Sequence, residues 1–311
     1  MLNSRIRGTR RHARALSCSA AVLLGALLVS GCSSSSDGPS GPPPLTNAIV
    51  FASDRTGTSQ IYVMNTDDTN LRQLTDVPGL KIDPAVSPDG RKIAFALGAV
   101  AYLEQTVIYI MNSDGTGLTQ LTHGTDLDRQ PSFSADGTEI VFSRSHADSA
   151  SIYKMRTDGS HLENILHHHG VDLEAVWRPG ASSILFVSDR DHLGGINSEI
   201  YTSNALGLFV KPLVSGFDPA WSPSGTKFLF KRDGQIWISD TPDGTSVRQL
   251  TSFLSSYYTP SWSPDERTII FTSYTQGSSE IFSVDATDGS GPHQLTSGYY
   301  QNIFGVTYTR H

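Results

Sequence analysis

The chain has 311 residues, 23 Lys and Arg against 30 Asp and Glu, and a formal net charge of −7. Only 38% of it is hydrophobic, while Gly (28) and Pro (16) are plentiful, which points to many turns and few long helices. The acidity disfavours a nucleic-acid binder driven by phosphate contacts, and two Cys exclude a disulfide framework or a Cys-rich zinc site. At roughly 100–200 residues per domain, length alone suggests two domains.

The first segment reads as an address. Arg5, Arg7, Arg10, Arg11 and Arg14 form a basic start without acids, and an apolar stretch follows from Ala20 to Val29. A short apolar run before small residues describes a secretory signal rather than a spanning helix. Val29-Ser30-Gly31-Cys32 resembles the bacterial lipobox, with Leu28 one place early. The resemblance implies that residues 1–31 are removed and that Cys32 is acylated. Two or three acyl chains anchor stably where one does not. Residues 32–47, rich in Ser, Gly and Pro, read as a solvated tether. Removing five Arg leaves 18 basic against 30 acidic residues, so the mature charge is −12. Ser33 after the Cys, where an Asp would favour inner-membrane retention, points to a periplasm-facing outer-membrane location.

From residue 48 to 311 a repeat takes over. Segments starting at Ile49, Ile93, Ile140, Ile184, Phe228 and Ile269 align, at spacings of 44, 47, 44, 44 and 41 residues. Each opens with an apolar strand such as IVFAS or IIFTS, followed by a second such as QIYVMN or EIFSVD. An Asp/Gly-rich turn comes next, then a short strand ending in Leu-Thr, as at Leu74-Thr75 and Leu250-Thr251. Between units stands Pro-x-Trp/Phe/Val-Ser-Pro-Asp-Gly, as at Pro84–Gly90, Pro131–Gly137, Pro219–Gly225 and Pro260–Asp265. There Pro presets φ, Asp bonds its own backbone and Gly takes a positive φ.

Four short strands per repeat of ~40–45 residues is the propeller signature. Counting strands predicts an all-β, six-bladed propeller of four-stranded antiparallel blades. Asn302–Tyr308 supplies the missing innermost strand of the first blade and closes the ring.

Ser53-Asp54-Arg55, Gln60–Asn65 and Pro219–Pro223 resemble the TolB-type propeller repeat, also found in dipeptidyl-peptidase-type proteins. The resemblance covers residues 49–308 and implies a fold more than an activity. TolB itself carries an α/β domain before its propeller, and the peptidases a hydrolase domain after it. Neither has a counterpart in residues 48–311.

No nucleophile elbow, P-loop, His-Glu-x-x-His or dinucleotide fingerprint occurs. The irregular loops that join the opening strand to the second, and the short strand to the next innermost strand, gather on one face of such a ring, and that is the candidate binding face. Its aromatic residues are Tyr102, Phe253, Tyr257, Tyr258, Tyr299 and Tyr300, of a type favoured at protein and sugar contacts. Its histidines are His167, His168 and His169, with His123, His146 and His192 in other loops. Its acids are Asp83, Asp128, Asp172, Glu174 and Asp218, each ahead of an innermost strand. A ring of Asp83, Asp128, Asp172 and Asp218 could hold Ca²⁺ through hard oxygen ligands. Asp54-Arg55 and Asp189-Arg190 read as ion pairs bracing the ends of the opening strands.

The expected function is a monomeric, lipid-anchored, non-catalytic scaffold that binds an envelope protein or polymer and no nucleic acid. The alternative is a metal-dependent lyase or hydrolase acting on an acidic or sugar polymer through loop-face His.

Overall fold

The computed structural model describes residues 41–99, 105–191, 198–252, 257–275, 277–298 and 303–309. They form twenty-four strands in chain order. The first three are β1 (Ala48–Ser53), β2 (Gln60–Asn65) and β3 (Arg72–Gln73). Next come β4 (Leu80–Val86), β5 (Lys92–Gly98), β6 (Thr106–Asn112) and β7 (Thr119–Gln120). The same pattern follows in β8 (Leu127–Phe133), β9 (Glu139–His146), β10 (Ser149–Arg156) and β11 (Glu163–Asn164). It continues in β12 (Asp172–Trp177), β13 (Ser183–Ser188), β14 (Glu199–Asn204) and β15 (Lys211–Ser215). Then come β16 (Phe217–Trp221), β17 (Phe228–Arg232), β18 (Gln235–Ser239) and β19 (Val247–Gln249). The last are β20 (Tyr257–Trp262), β21 (Thr268–Thr275), β22 (Ser278–Asp285), β23 (His293–Gln294) and β24 (Ile303–Tyr308).

Neighbours in sequence pair antiparallel in sheets β12–β15, β16–β19 and β20–β23. The sets β4–β7 and β8–β11 have the same internal order and touch through one parallel pair, Thr106 with Leu127. The remaining sheet runs β24-β1-β2-β3, with Ile49 opposite Tyr308 and Phe51 opposite Val306. This is an all-β propeller of four-stranded antiparallel blades.

The core lies between blades. Every residue of β1 is buried, because its two faces meet different neighbours. Ile49 and Phe51 pack with Ile270, Ile281 and Val306. Val50 and Ala52 pack with Val86, Ile93, Phe95 and Met111. A strand buried on both faces is apolar throughout, which erases the alternation of a half-exposed strand.

The recurring motifs have local causes. In Leu-Thr, the Leu enters the inter-blade core and the Thr hydroxyl caps a neighbouring amide. Thr75 Oγ1 accepts from Ile61 N at 3.0 Å, and Thr296 Oγ1 from Ile281 N at 2.9 Å. In Ser-Pro-Asp-Gly, the Ser87 hydroxyl donates to Asp89 Oδ1 at 2.6 Å and accepts from Lys92 N at 2.9 Å. Ser134 and Asp136 repeat this turn, and those hydroxyl and amide bonds hold Asp136 below its ordinary value.

The compact unit begins at Gly41, so part of the expected tether is docked. Leu45 N donates to Gly90 O at 2.8 Å, Arg91 Nη1 to Pro42 O at 2.8 Å, and Ser113 Oγ to Pro43 O at 3.0 Å.

Candidate binding site at the central cavity

The innermost strands share one irregularity. The register slips between Ile82 and Ala85 in β4, Arg129 and Ser132 in β8, and Leu173 and Val176 in β12. It slips again between Phe217 and Ala220 in β16, and between Tyr258 and Ser261 in β20. The residue opening each bulge has positive φ: Asp83 (54°), Gln130 (55°), Glu174 (57°), Asp218 (51°) and Thr259 (48°). Four of these precede a proline, which has no N–H to lose from the ladder. Bulges re-aim side chains, and these residues line a central cavity of about 210 Å³ together with Gly305 of β24. A Cβ at Gly305 would stand 3.1 Å from the Asp83 Cα, a tight contact, and its φ of +108° favours glycine.

The bulge residues are linked from blade to blade. Asp83 Oδ2 accepts from Gln130 N at 3.3 Å and pairs with Arg129 Nε at 3.1 Å. Ser143 Oγ donates to Gln130 Oε1 at 3.1 Å and accepts from Glu174 N at 2.9 Å. Glu174 Oε2 accepts from Asp218 N at 2.6 Å. Asp218 in turn accepts from the Thr259 amide. Each αL residue costs of order 1 kcal/mol in strain. Side-chain bonds to the amides of Gln130, Glu174, Asp218 and Thr259 offset part of that cost.

Two of the carboxylates share one electrostatic problem. Burial, then the charge of Asp218, push Glu174 up to about 8. Burial also raises Asp218, with Lys231 opposing and Asp83 reinforcing the rise. At neutral pH the pair therefore keeps a proton, and Glu174 can donate. Trp177 and Trp221 also line the cavity. Both indole nitrogens are buried without a protein hydrogen-bond partner, whereas Trp262 Nε1 donates to Ala220 O at 3.2 Å. The cavity wall thus combines carboxyl groups with tryptophan rings, and sequence assigned those rings only a packing role.

Comparison with known proteins agrees with this architecture. Residues 70–165 match the family described as TolB beta propeller domain. A TolB homolog of Chlorobium luteolum is 30% identical over 151 residues, covering 48% of this chain and 34% of that protein. The Tol-Pal system protein TolB of Syntrophotalea carbinolica is 36% identical over 50 residues, or 16% of this chain and 12% of that one. The chain therefore spans about a third or less of the length of these relatives. The crystal structure of TolB from Acinetobacter baumannii superposes with a TM-score of 0.70 at 21% identity, covering 85% of this chain and 68% of that one. The chain carries a TolB-like β-propeller.

Within this TolB-like propeller, the expected ring of four aspartates does not assemble. Asp83 and Asp218 open bulges at the cavity, as does Glu174. Asp128 and Asp172 lie two residues earlier on their strands, where β4 has Lys81. Asp128 is bound by Arg144, Oδ1 to Nε at 2.6 Å and Oδ2 to Nη2 at 2.8 Å. Asp172, fully buried, is bound by Arg190 Nη2 at 2.9 Å. A guanidinium at that distance fills the place a dication would need. Among the described residues, no three His, Cys, Asp or Glu side chains are grouped to hold a metal ion.

The expected Asp189-Arg190 pair is also replaced. Asp189 Oδ1 accepts from Val171 N at 2.8 Å, and Arg190 reaches Asp172 instead. Arg190 lies over the rings of Phe186 and Tyr201 at 4.9 and 5.0 Å. Arg55 lies in the same way over Phe51 and Tyr62, as do Arg144 over Phe142 and Tyr153 and Arg232 over Phe230 and Trp237. The strand-end arginines thus clamp the face of their own blade, which agrees with bracing, though Arg190 does so with a partner other than Asp189.

Among the described residues the histidines do not form a metal-holding group. His146 Nδ1 pairs with Asp126 at 2.8 Å, and His123 Nδ1 with Gln120 Nε2 at 3.1 Å. His168 Nδ1 is buried without a protein partner, while His167 and His169 flank it in the loop before β12. Tyr257 and Tyr258 lie on β20, opposite Ser273 and Thr272. Cys32, Tyr102, His192, Phe253, Tyr299 and Tyr300 lie outside the described residues.

Proposed function

We propose that this protein is a lipid-anchored envelope scaffold that binds a protein, or failing that a polymer, without catalysing a reaction. Cys32 carries the acyl chains and holds the propeller at the periplasmic side of the outer membrane. The scaffold is a six-bladed ring, and the pairing of β24 with β1 closes it.

The observation that carries this reading is the central cavity lined by the bulges of β4, β8, β12, β16, β20 and β24. It sets Glu174 and Asp218, both raised by burial, beside the rings of Trp177 and Trp221. Sites of this kind, on a rigid ring beneath irregular loops, suit recognition of a polar segment of another macromolecule. The likeness to a Tol-Pal system protein favours an envelope partner. The partner contacts the loop face, with Tyr258 and its neighbours as first contacts.

The test is photo-crosslinking in cells from position 258 on the loop face and from position 158 on the opposite turns. Capture of one defined partner from 258, lost in an Asp218→Ala background, is the expected result. Capture from 158 alone would overturn the assignment of the binding face.

A further inference from the structure

The turns between the third and fourth strands of successive blades are near copies, with one exception. In Asn112-Ser113-Asp114-Gly115-Thr116-Gly117, Asp114 Oδ1 accepts from Thr116 N at 2.9 Å and Oγ1 at 2.7 Å. Asp67 with Thr69, Asp158 with Ser160 and Asp243 with Thr245 make the same two bonds. In the β12–β15 blade the turn reads Asn204-Ala205-Leu206-Gly207-Leu208-Phe209. Leu replaces the Asp, a second Leu replaces the Thr, and Phe replaces the terminal Gly.

The backbone does not ask for these residues. Asn204 N donates to Leu208 O at 3.0 Å and Gly207 N to Asn204 O at 3.0 Å, matching Asn112 N to Thr116 O at 2.8 Å and Gly115 N to Asn112 O at 3.0 Å. Asn204 Oδ1 takes over the lost carboxylate's work, accepting from Leu206 N at 3.0 Å and Leu208 N at 2.9 Å. The turn is seated on the preceding blade, because a Cβ at Gly207 would meet Ile165 O at 1.7 Å. Phe209 occupies φ +59°, a conformation that disfavours a bulky side chain. Yet the side chains are not buried: Phe209 is 84% exposed, Leu206 64% and Leu208 54%. A rigid turn that keeps its geometry while turning three apolar side chains to solvent marks a contact surface.

We infer that Leu206, Leu208 and Phe209 insert into the surface of the bilayer that holds the protein's own N-terminus. The inference rests on the lipid-anchor reading for which bilayer is met. The docked segment Pro42–Leu45 lies on Gly90, Arg91 and Ser113, which belong to the first-to-second and third-to-fourth strand turns. The Leu206–Phe209 turn opens on that same face. The eight residues between Cys32 and Gly41 reach at most about 30 Å, so this face is the one kept near the membrane. The charge pattern agrees: the sister turns carry Asp67, Asp114, Asp158, Asp243 and Asp288, and this one has exchanged its acid for Leu. Exposed Lys211 follows it, suited to anionic headgroups. Contact is through this blade's edge, driven by apolar insertion.

The test restores the sister sequence. Leu206→Asp with Leu208→Thr and Phe209→Gly recreates Asp-Gly-Thr-Gly, which the fold already accepts at Asp114–Gly117. The mature chain with Cys32→Ser, which cannot be acylated, is sedimented with phosphatidylethanolamine/phosphatidylglycerol vesicles. The wild-type turn is expected to partition about tenfold more strongly than the restored turn, with Tm equal or higher in the restored variant. In the acylated protein, Phe209→Trp is expected to be quenched by brominated lipid. Equal partition of the two turns without such quenching would overturn the inference. So would a concentration-dependent dimer, lost in the restored variant, without vesicle binding. Mass measurement of the mature N-terminus tests acylation separately. An unmodified Cys32 would remove the anchor reading, while the vesicle comparison would still decide the turn.

Discussion

Glu174 Oε2 receives the backbone N–H of Asp218 at 2.6 Å, so an acid on one blade satisfies the bulge of the next. The same carboxylate is buried beside Asp218 itself and holds its proton up to about 8, against an ordinary 4.5.

This sets a sign for the pH dependence. A carboxylate whose folded pKa lies above its unfolded one makes the folded state bind more protons, so stability falls as pH rises between the two values. Melting should therefore move to lower temperature from about pH 4.5 towards pH 8, the window fixed by Glu174, with Asp218 acting in the same direction. Glu174→Gln keeps an acceptor for the Asp218 amide and cannot ionise. It should flatten the profile and raise stability at pH 8 by about 2 kcal/mol. Thermal melts at several pH values check this, and an unchanged slope would refute it.

Asp172 is fully buried against Arg190. Arg190→Ala leaves that carboxylate without its cation and should cost about 3–5 kcal/mol in urea unfolding. Combining it with Asp172→Asn should recover part of the loss, because the uncompensated charge has gone. Equal losses in the single and double variants would mean that Arg190 acts by packing on Phe186 and Tyr201 alone.

Val306 and Tyr308 of β24 are buried with Ile49 and Phe51. Deleting residues from Ile303 onward removes that cover and leaves the β1 edge unpaired. Each large side chain uncovered costs about 1.5–3 kcal/mol, so the Tm should fall by about 10 °C or more. An unchanged Tm would show that β1 does not depend on β24.

Gly289 and Gly291 both have positive φ, at 73° and 62°, within one turn. A Cβ at Gly289 would meet Leu250 O at 2.0 Å, whereas one at Gly291 meets nothing within 4 Å. Gly291→Ala should cost about 1 kcal/mol, the backbone term alone. Gly289→Ala should cost clearly more, because the turn must leave its seat on the neighbouring blade. Similar losses in denaturant melts would discount the seat.

The repeat made the blades readable from sequence, since period, turn chemistry and apolar strand pairs are local and recur. The last strand was readable too: the expected Asn302–Tyr308 falls on β24, Ile303–Tyr308. The site was less readable. Asp83, Asp128, Asp172, Glu174 and Asp218 all precede the Pro-x-Trp motif or its degenerate copy, but at two different positions, and the bulge decides which position reaches the cavity. Asp83, Glu174 and Asp218 open bulges, while Asp128 and Asp172, two residues earlier, turn to arginines in or just beyond the adjacent strand. Gln130, Thr259 and Gly305 complete the lining without any acidic signal. Sequence by itself determined that this chain builds repeated four-stranded blades with Asp/Gly turns. Only the tertiary structure decided which carboxylates share the cavity. That choice rests on register, on cross-strand partners 16 and 18 residues away, and on burial between blades, none of which a linear pattern carries.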